Sequence, residues 1–148
     1  MGKRKGLAAP ASAKGPRAGR RSDACDIASL IPCYVAASRD EAYEAMRPAV
    51  GFYAGFFPLY SRLLAEAGFA EDMAKIRDAF ERGGRAEAAR HVPDALIAAI
   101  AAAGSPGDCR AKIEAYRHSG IALPIVSPRA SGPDAKAMAL ATLRACAP

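Results

Sequence analysis

The chain has 148 residues, 51% of them hydrophobic and 24% charged, with a net charge of +6 at neutral pH. That length suits one domain of ordinary size, and no apolar stretch approaches the roughly 20 residues of a membrane-spanning helix. Much of the apolar content is alanine and tryptophan is missing. Alanine favours helix strongly but buries little area, so a helix-rich domain with a modest core is expected.

The charge is unevenly placed. Residues 1–22 carry Lys3, Arg4, Lys5, Lys14, Arg17, Arg20 and Arg21 and no acid, and the net positive charge belongs to this segment. A basic stretch rich in Gly, Ala and Pro reads as a disordered leader. A nucleic-acid-binding arm is the sharper alternative, and composition favours the leader. The expected division is a leader over 1–22 and a folded part over 23–148. Residues 6–13 are too short and too weakly apolar for a signal-peptide core, so the cytoplasm is the default compartment and no membrane partner is expected. Cys25, Cys33, Cys109 and Cys146 are scattered without C-x-x-C spacing, which points to reduced, mostly buried thiols.

The first element after the leader is a strand over 27–35, a dense apolar run in which Pro32 complicates central pairing. Ser38-Arg39-Asp40-Glu41 is a capping sequence with acids in the first turn. The helix it opens carries Ala42, Tyr43, Met46 and Val50, and Pro48 predicts a kink or break. The aromatic segment 51–58 reads as a core contact, with a ligand-facing wall as the alternative. An amphipathic stretch over 59–67 closes at Gly68. A helix over 69–83 follows, with Met73, Ile76 and Phe80 on one side, and Gly83-Gly84 breaks it before a short helix over 85–91.

Pro93 suits the first position of the next helix, whose stripe is Leu96, Ile97 and Ile100 and whose stop is Gly104. Ser105, Pro106 and Asp108 form an N-cap, an N1 proline and a capping box, and Cys109, Ile113 and Tyr116 share one face of the helix they open. Gly120 ends that helix in the left-handed conformation. Residues 121–126 read as a strand covered on both faces, although Pro124 argues against a central ladder position. A loop leads to a last helix over 134–146, with Met138, Leu140 and Leu143 as its apolar contribution. Two parallel strands need a crossover, and here it is several helices long.

Little chemistry is visible. His91 and His118 lack a second ligand at metal spacing, so no metal site is expected, and His118 reads as a partner of a helix C-terminus. Nucleophile-elbow, Walker and dinucleotide-binding signatures do not occur. Gly104-Ser105-Pro106-Gly107 has the form of a phosphate-cradling turn, but Asp108 would repel a phosphate, which favours a plain capping turn.

The order of short motifs is more specific than any one of them. It runs Ala18-Gly19-Arg20, a strand ending in Val35-Ala36, Asp40-Glu41-Ala42, Phe52-Tyr53, Leu59-Tyr60 and Ala67-Gly68-Phe69. Val92-Pro93-Asp94-Ala95-Leu96-Ile97, Gly104-Ser105-Pro106 and Tyr116-Arg117-His118-Ser119-Gly120-Ile121 follow. Over residues 18–128 this resembles the C-terminal part of the luciferase-like flavin- or deazaflavin-dependent oxidoreductases, most of all the branch that uses coenzyme F420 and includes methylenetetrahydromethanopterin reductase. The resemblance implies an α/β fold: the C-terminal fragment of a (β/α)₈ TIM barrel, in which strand 27–35 is the seventh and 121–126 the eighth, with a multi-helix insertion between two parallel strands. A whole barrel takes about 250 residues, so the earlier strands, with most of the family's cofactor and substrate contacts, have no counterpart here.

The implied function is hydride transfer between FMN or F420 and a small organic substrate, with the redox work done by the cofactor. Chemistry in such barrels sits at the C-terminal ends of the strands, which makes residues 36–38 and 127–129 the rim and Ser38, Ser127 and Arg129 the candidate cofactor-binding positions. No catalytic residue transfers one for one. A homo-oligomer is among the implied assemblies, and nucleic acid is not an implied partner. The rival reading, from a different class, is a small helical interaction module whose basic arm binds nucleic acid.

Overall fold

The computed structural model describes residues 26–147. The expected leader over 1–22, the Ala18-Gly19-Arg20 motif and Cys25 lie outside the described residues. Six α-helices and three strands are present among those described: β1 (Ala28–Val35), α1 (Arg39–Phe56), α2 (Pro58–Leu64), α3 (Ala70–Arg90), α4 (Asp94–Ile100), β2 (Ala102–Gly104), α5 (Pro106–His118), β3 (Leu123–Pro128) and α6 (Ala135–Cys146), with a π-helical turn (Ala65–Phe69) between α2 and α3.

The sheet order is β2-β1-β3 and both pairings are parallel. β1 and β3 run side by side, with Leu30 opposite Ile125 and Ile31 opposite Val126. This is the pairing that the expected seventh and eighth barrel strands require. Both prolines sit inside the ladder, contrary to the reading that set them against it. Leu123 and Arg129 donate their N–H groups to Ile27 and Cys33 of β1. By the two-residue alternation of a strand, Pro124 and Pro128 then turn away from β1, toward the side of β3 that has no partner among the described residues. Pro32 likewise turns from β3 toward the β2 side, where pairing begins only at Cys33. A missing N–H costs nothing in the ladder at such positions.

β2 is an addition to the expected two strands. The sequence predicts helix up to Gly104, but α4 stops at Ile100 and Ala102–Gly104 pairs with Cys33–Val35. Helix propensity for alanine is a few tenths of a kcal/mol per residue, and burial overrides it. Ala103 packs in the core with α1, α3 and α4, and Ala102 packs on the opposite face with Cys109 of α5. Only small side chains let helices approach both faces of so short a strand. The freed carbonyls at the end of α4 are taken up by Lys112, whose ammonium donates to Ala98 at 2.6 Å and Ala99 at 3.2 Å.

Local signals set most helix ends. Ser38 caps α1 by accepting from the Glu41 N–H at 3.2 Å. Ser105 and Asp108 form the reciprocal capping box of α5, and Pro93 falls at the N-cap of α4, one residue before the expected position. Gly120 has φ +99° and Gly84 φ +66°, the latter kinking α3 where a break is predicted. α1, however, passes through Pro48 without a break. Proline frees the carbonyl of Glu44, and both residues lie on the exposed side, where water replaces the lost bond. The opposite side of α1, from Tyr43 through Met46 and Val50 to Ala54, is buried with Met73 and Ile76 of α3.

Two further expectations change. The aromatic segment is not core: Phe56 is 54% exposed and Phe57 40%. Their rings pack on one another and on Phe52, beside the buried stripe of α1 rather than in it. β3 is covered on one face only, since Leu123 and Ile125 are exposed together with Leu30 of β1. In α6, Thr142 and Cys146 are buried, while Leu140 and Leu143 are exposed. Cys146 joins Cys33 and Cys109 in the core under the sheet, and that contact decides which face of α6 turns inward.

These contacts make two predictions. A methyl group at Gly51 would lie 2.9 Å from Ala89 N and 3.0 Å from Ala88 C, main-chain atoms that cannot rotate away. Alanine gains about 1 kcal/mol in helix propensity, but overpacking costs about 1–3 kcal/mol, so Gly51→Ala is expected to lower the urea midpoint; a raised midpoint would show that α1 and α3 are not in close contact there. Burial pushes the Cys33 and Cys109 thiols up to about 12. Alkylation of the native chain at pH 8 is therefore expected to leave Cys33, Cys109 and Cys146 unmodified until denaturant is added. Mass spectrometry showing rapid native labelling of two of them would contradict the buried cluster.

Candidate functional site

The candidate site grows from the carboxyl end of the β1–β3 ladder. The Arg129 N–H donates to Cys33 O at 2.8 Å, one residue beyond β3, and so fixes where this arginine leaves the sheet. Ser127, two residues earlier, shares its face. Both line a cavity of about 240 Å³ with Leu30, Pro32, Val50, Tyr53, Tyr60 and Ile100. Tyr53 comes from α1 and Tyr60 from α2, and their rings are 6.1 Å apart, tilted at 60°.

Arg129 is the most informative group. Its guanidinium carbon lies 5.5 Å from the centre of the Tyr53 ring. Its Nε is buried and meets no hydrogen-bond acceptor among the described residues. Buried donors are nearly always paired, so this one is an exception among the buried polar groups described. Burial pushes the Tyr60 hydroxyl above its ordinary pKa, while the Arg129 charge pulls it back down. On the other side of Arg129 lies a second hollow of about 340 Å³, lined also by Tyr34, Pro48, Arg85 and Ser131. Among the described residues no carboxylate lines either cavity. A larger hollow of about 560 Å³ lies between α2 and α3 and is lined by no strand residue.

The structure thus brings Ser127 and Arg129 together. Ser38 is exposed and serves as the α1 cap, outside both linings. Tyr53 and Tyr60 belong to motifs of the resemblance, but neither they nor Arg85 are among the site residues expected from sequence. Tyr53 carried a partial signal as a member of the glycine-flanked aromatic segment; Arg85 carried none. The Nδ1 of His118 meets Glu114 O at 2.7 Å, and His91 faces Glu87 at 3.6 Å. Neither histidine reaches these cavities. Among the described residues no cluster of His, Cys, Asp or Glu is placed to hold a metal ion, and no helix is long and apolar enough to cross a membrane.

Parallel strands, a long helical excursion between them and a cavity at their carboxyl ends define the C-terminal portion of a (β/α)₈-type barrel. The chain belongs to the luciferase-like monooxygenase family, whose family model matches residues 5–123. The match begins within the basic segment. Among solved structures, the chain is similar to the coenzyme F420 dependent tetrahydromethanopterin reductase from Methanopyrus kandleri, at 27% sequence identity and a TM-score of 0.65. The similarity covers 82% of this chain and 35% of the reductase, so the chain spans about a third of that protein's length. No curated protein matches it significantly.

The Arg129 environment predicts its own stability behaviour. Replacing it by methionine removes a cation–π contact worth about 0.5–1 kcal/mol at an exposed site and also removes a desolvated, unpaired donor, which offsets that loss. R129M is expected to unfold within about 1 kcal/mol of the parent in urea. A loss of several kcal/mol would mean that Arg129 is a structural residue instead of a site residue.

Proposed function

We propose that this chain supplies the C-terminal part of a flavin- or F420-dependent oxidoreductase that passes a hydride between the cofactor and a small organic substrate. The observation that carries the proposal is the cavity at the carboxyl end of the parallel β1–β3 ladder, where two tyrosines, Ser127 and Arg129 converge. Family membership and the F420-dependent structural neighbour support the same reading.

The residues present fit such a group on one side. Tyr53, Tyr60, Val50, Ile100 and Leu30 offer apolar and aromatic surface to a planar ring, and Ser127 and the Arg129 guanidinium offer hydrogen bonds to its polar edge. When bound, the cofactor supplies the two-electron chemistry. The chain's own residues bind and orient it and keep water from one face. Tyr60, a neutral phenol at pH 7 whose pKa burial raises further, would donate a hydrogen bond to such a ring without carrying charge into the site. The thiols stay out of the reaction, since burial holds them protonated and beneath the sheet. Of the assigned rim positions, Ser127 and Arg129 take part in this proposal through their place in the cavity, and Ser38 through the helix that it starts. A second copy of the chain and a cytoplasmic setting, the latter expected because the sequence offers no signal-peptide core, are part of the proposal.

The test is a titration of the purified full chain with FMN and with F420, following ring absorbance and fluorescence. Saturable quenching by at least one of them is expected, with Y53L weakening it several-fold because one stacking wall is lost. Flat titrations with both cofactors would falsify the proposal.

A further inference from the structure

We propose that the hollow of about 560 Å³ between α2 and α3 binds a small monocarboxylate with an apolar body, such as a medium-chain alkanoate, whose carboxylate is held by Arg77 and Ser61. The site is independent of the redox reading, since it shares no lining residue with the tyrosine-lined cavity.

The hollow follows from the sequence of the two helices. Apart from Leu59, its lining falls at positions 58, 61, 62 and 65 on one arm and 70, 73, 74 and 77 on the other. Both series have the three-and-four spacing of one helix face, and the turn at Gly68, with φ +104°, joins the arms. Facing helices ordinarily fill the space between them with interdigitated side chains. Here Ala65, Ala70 and Ala74 are too short to do so, and Leu59 stays 61% exposed at the edge. The volume lies within the range of small-ligand pockets, about 300–1,000 Å³, so a small molecule fits it better than a folded partner.

Small residues alone would leave only a gap. Ser61 adds chemistry to it. This residue is 3% exposed, and its hydroxyl meets no hydrogen-bond partner among the described residues. Arg129 Nε is the fully enclosed side-chain atom without a partner. The Ser61 hydroxyl is therefore not enclosed, and the open space that Ser61 lines is this hollow. Buried polar groups are nearly always paired, so the hydroxyl has a bond to give. Charge is the third element. Arg62 lies 3.8 Å from Glu66, whereas Arg77 meets no carboxylate, and no acid lines the hollow among the described residues. One uncompensated guanidinium balances one negative charge, and its fork matches a carboxylate with two parallel hydrogen bonds. The second charge of a phosphate would have no partner there. Met73 and the three alanines give the ligand's chain an apolar wall.

The experiment titrates the full chain by calorimetry with hexanoate, octanoate and decanoate at neutral pH, below their micelle-forming concentrations. Saturable binding at one site is expected, tightening up to about fourfold per added CH₂. 1-Octanol keeps the tail without the charge and is expected to bind about tenfold more weakly than octanoate. R77M is expected to bring octanoate down to the level of octanol, and S61A to weaken it several-fold. A74F, a change at an exposed position that fills the hollow with a ring, is expected to abolish binding and keeps the test decisive if R77M does not fold. Y53L, in the other cavity, is expected to bind octanoate as the parent does.

Absence of saturation, equal binding of octanol and octanoate, or octanoate binding that survives both R77M and A74F overturns the site. Binding that is lost in Y53L and kept in A74F overturns it too, by placing the carboxylate in the tyrosine-lined cavity.

Discussion

Everything in this molecule is placed by the ladder between β1 and β3. Its main-chain bonds run from Leu123 N to Ile27 O at one end to Arg129 N to Cys33 O at the other. A parallel pair cannot be joined by a hairpin, so the chain between must travel from the end of one strand back to the start of the other. The α1–α4 excursion, β2 and α5 make that journey. The helices α5 and α6 cover one face of the sheet through Ile31, Cys33, Cys109 and Cys146, and α1, α3 and α4 cover part of the other through Tyr34 and Ala103. The same ladder brings both strand ends to one side, which is where Ser127 and Arg129 emerge.

The sheet is covered on one face and only partly covered on the other. Leu30, Leu123 and Ile125 share the open face and are 69%, 54% and 41% exposed. An apolar face of this kind agrees with a chain that spans about a third of its structural neighbour. In the proposed reading, the cavity over Pro32 and Ser127 is one wall of the site. Its opposite side, in a whole barrel, is built by strands that have no counterpart among the described residues.

Stability and function pull apart at that wall. Some cations here are matched: Arg47 bridges Glu44 and Asp94 and also meets the Val92 carbonyl, tying α1 to the start of α4. Arg129 has only an aromatic face and an empty-handed Nε. A half-buried cation without an anion gains little for the fold. Its cost is understandable where a ligand completes it. The exposed aromatic set from Phe52 to Phe57 follows the same logic, since only Tyr53 of that set lines the 240 Å³ cavity and the others pack among themselves on the outer side.

Sequence by itself determined the features whose causes lie within a few residues. Ser38 and the Ser105–Asp108 box cap their helices because side chain and backbone donor are three positions apart. Gly84 and Gly120 turn the chain because only glycine takes those angles cheaply. The order of such signals was enough to reveal the family. Tertiary structure decided what depends on distant partners. Ala102–Gly104 became strand because both of its faces were buried, Pro48 stayed helical because α3 holds the other side of α1, and Pro32 and Pro124 joined a ladder because their missing donors face unpaired edges. Arg85 and Arg129 share a hollow for the same reason: no local pattern records that residues 44 positions apart meet, because the force that joins them is the packing of the helices and strands that carry them.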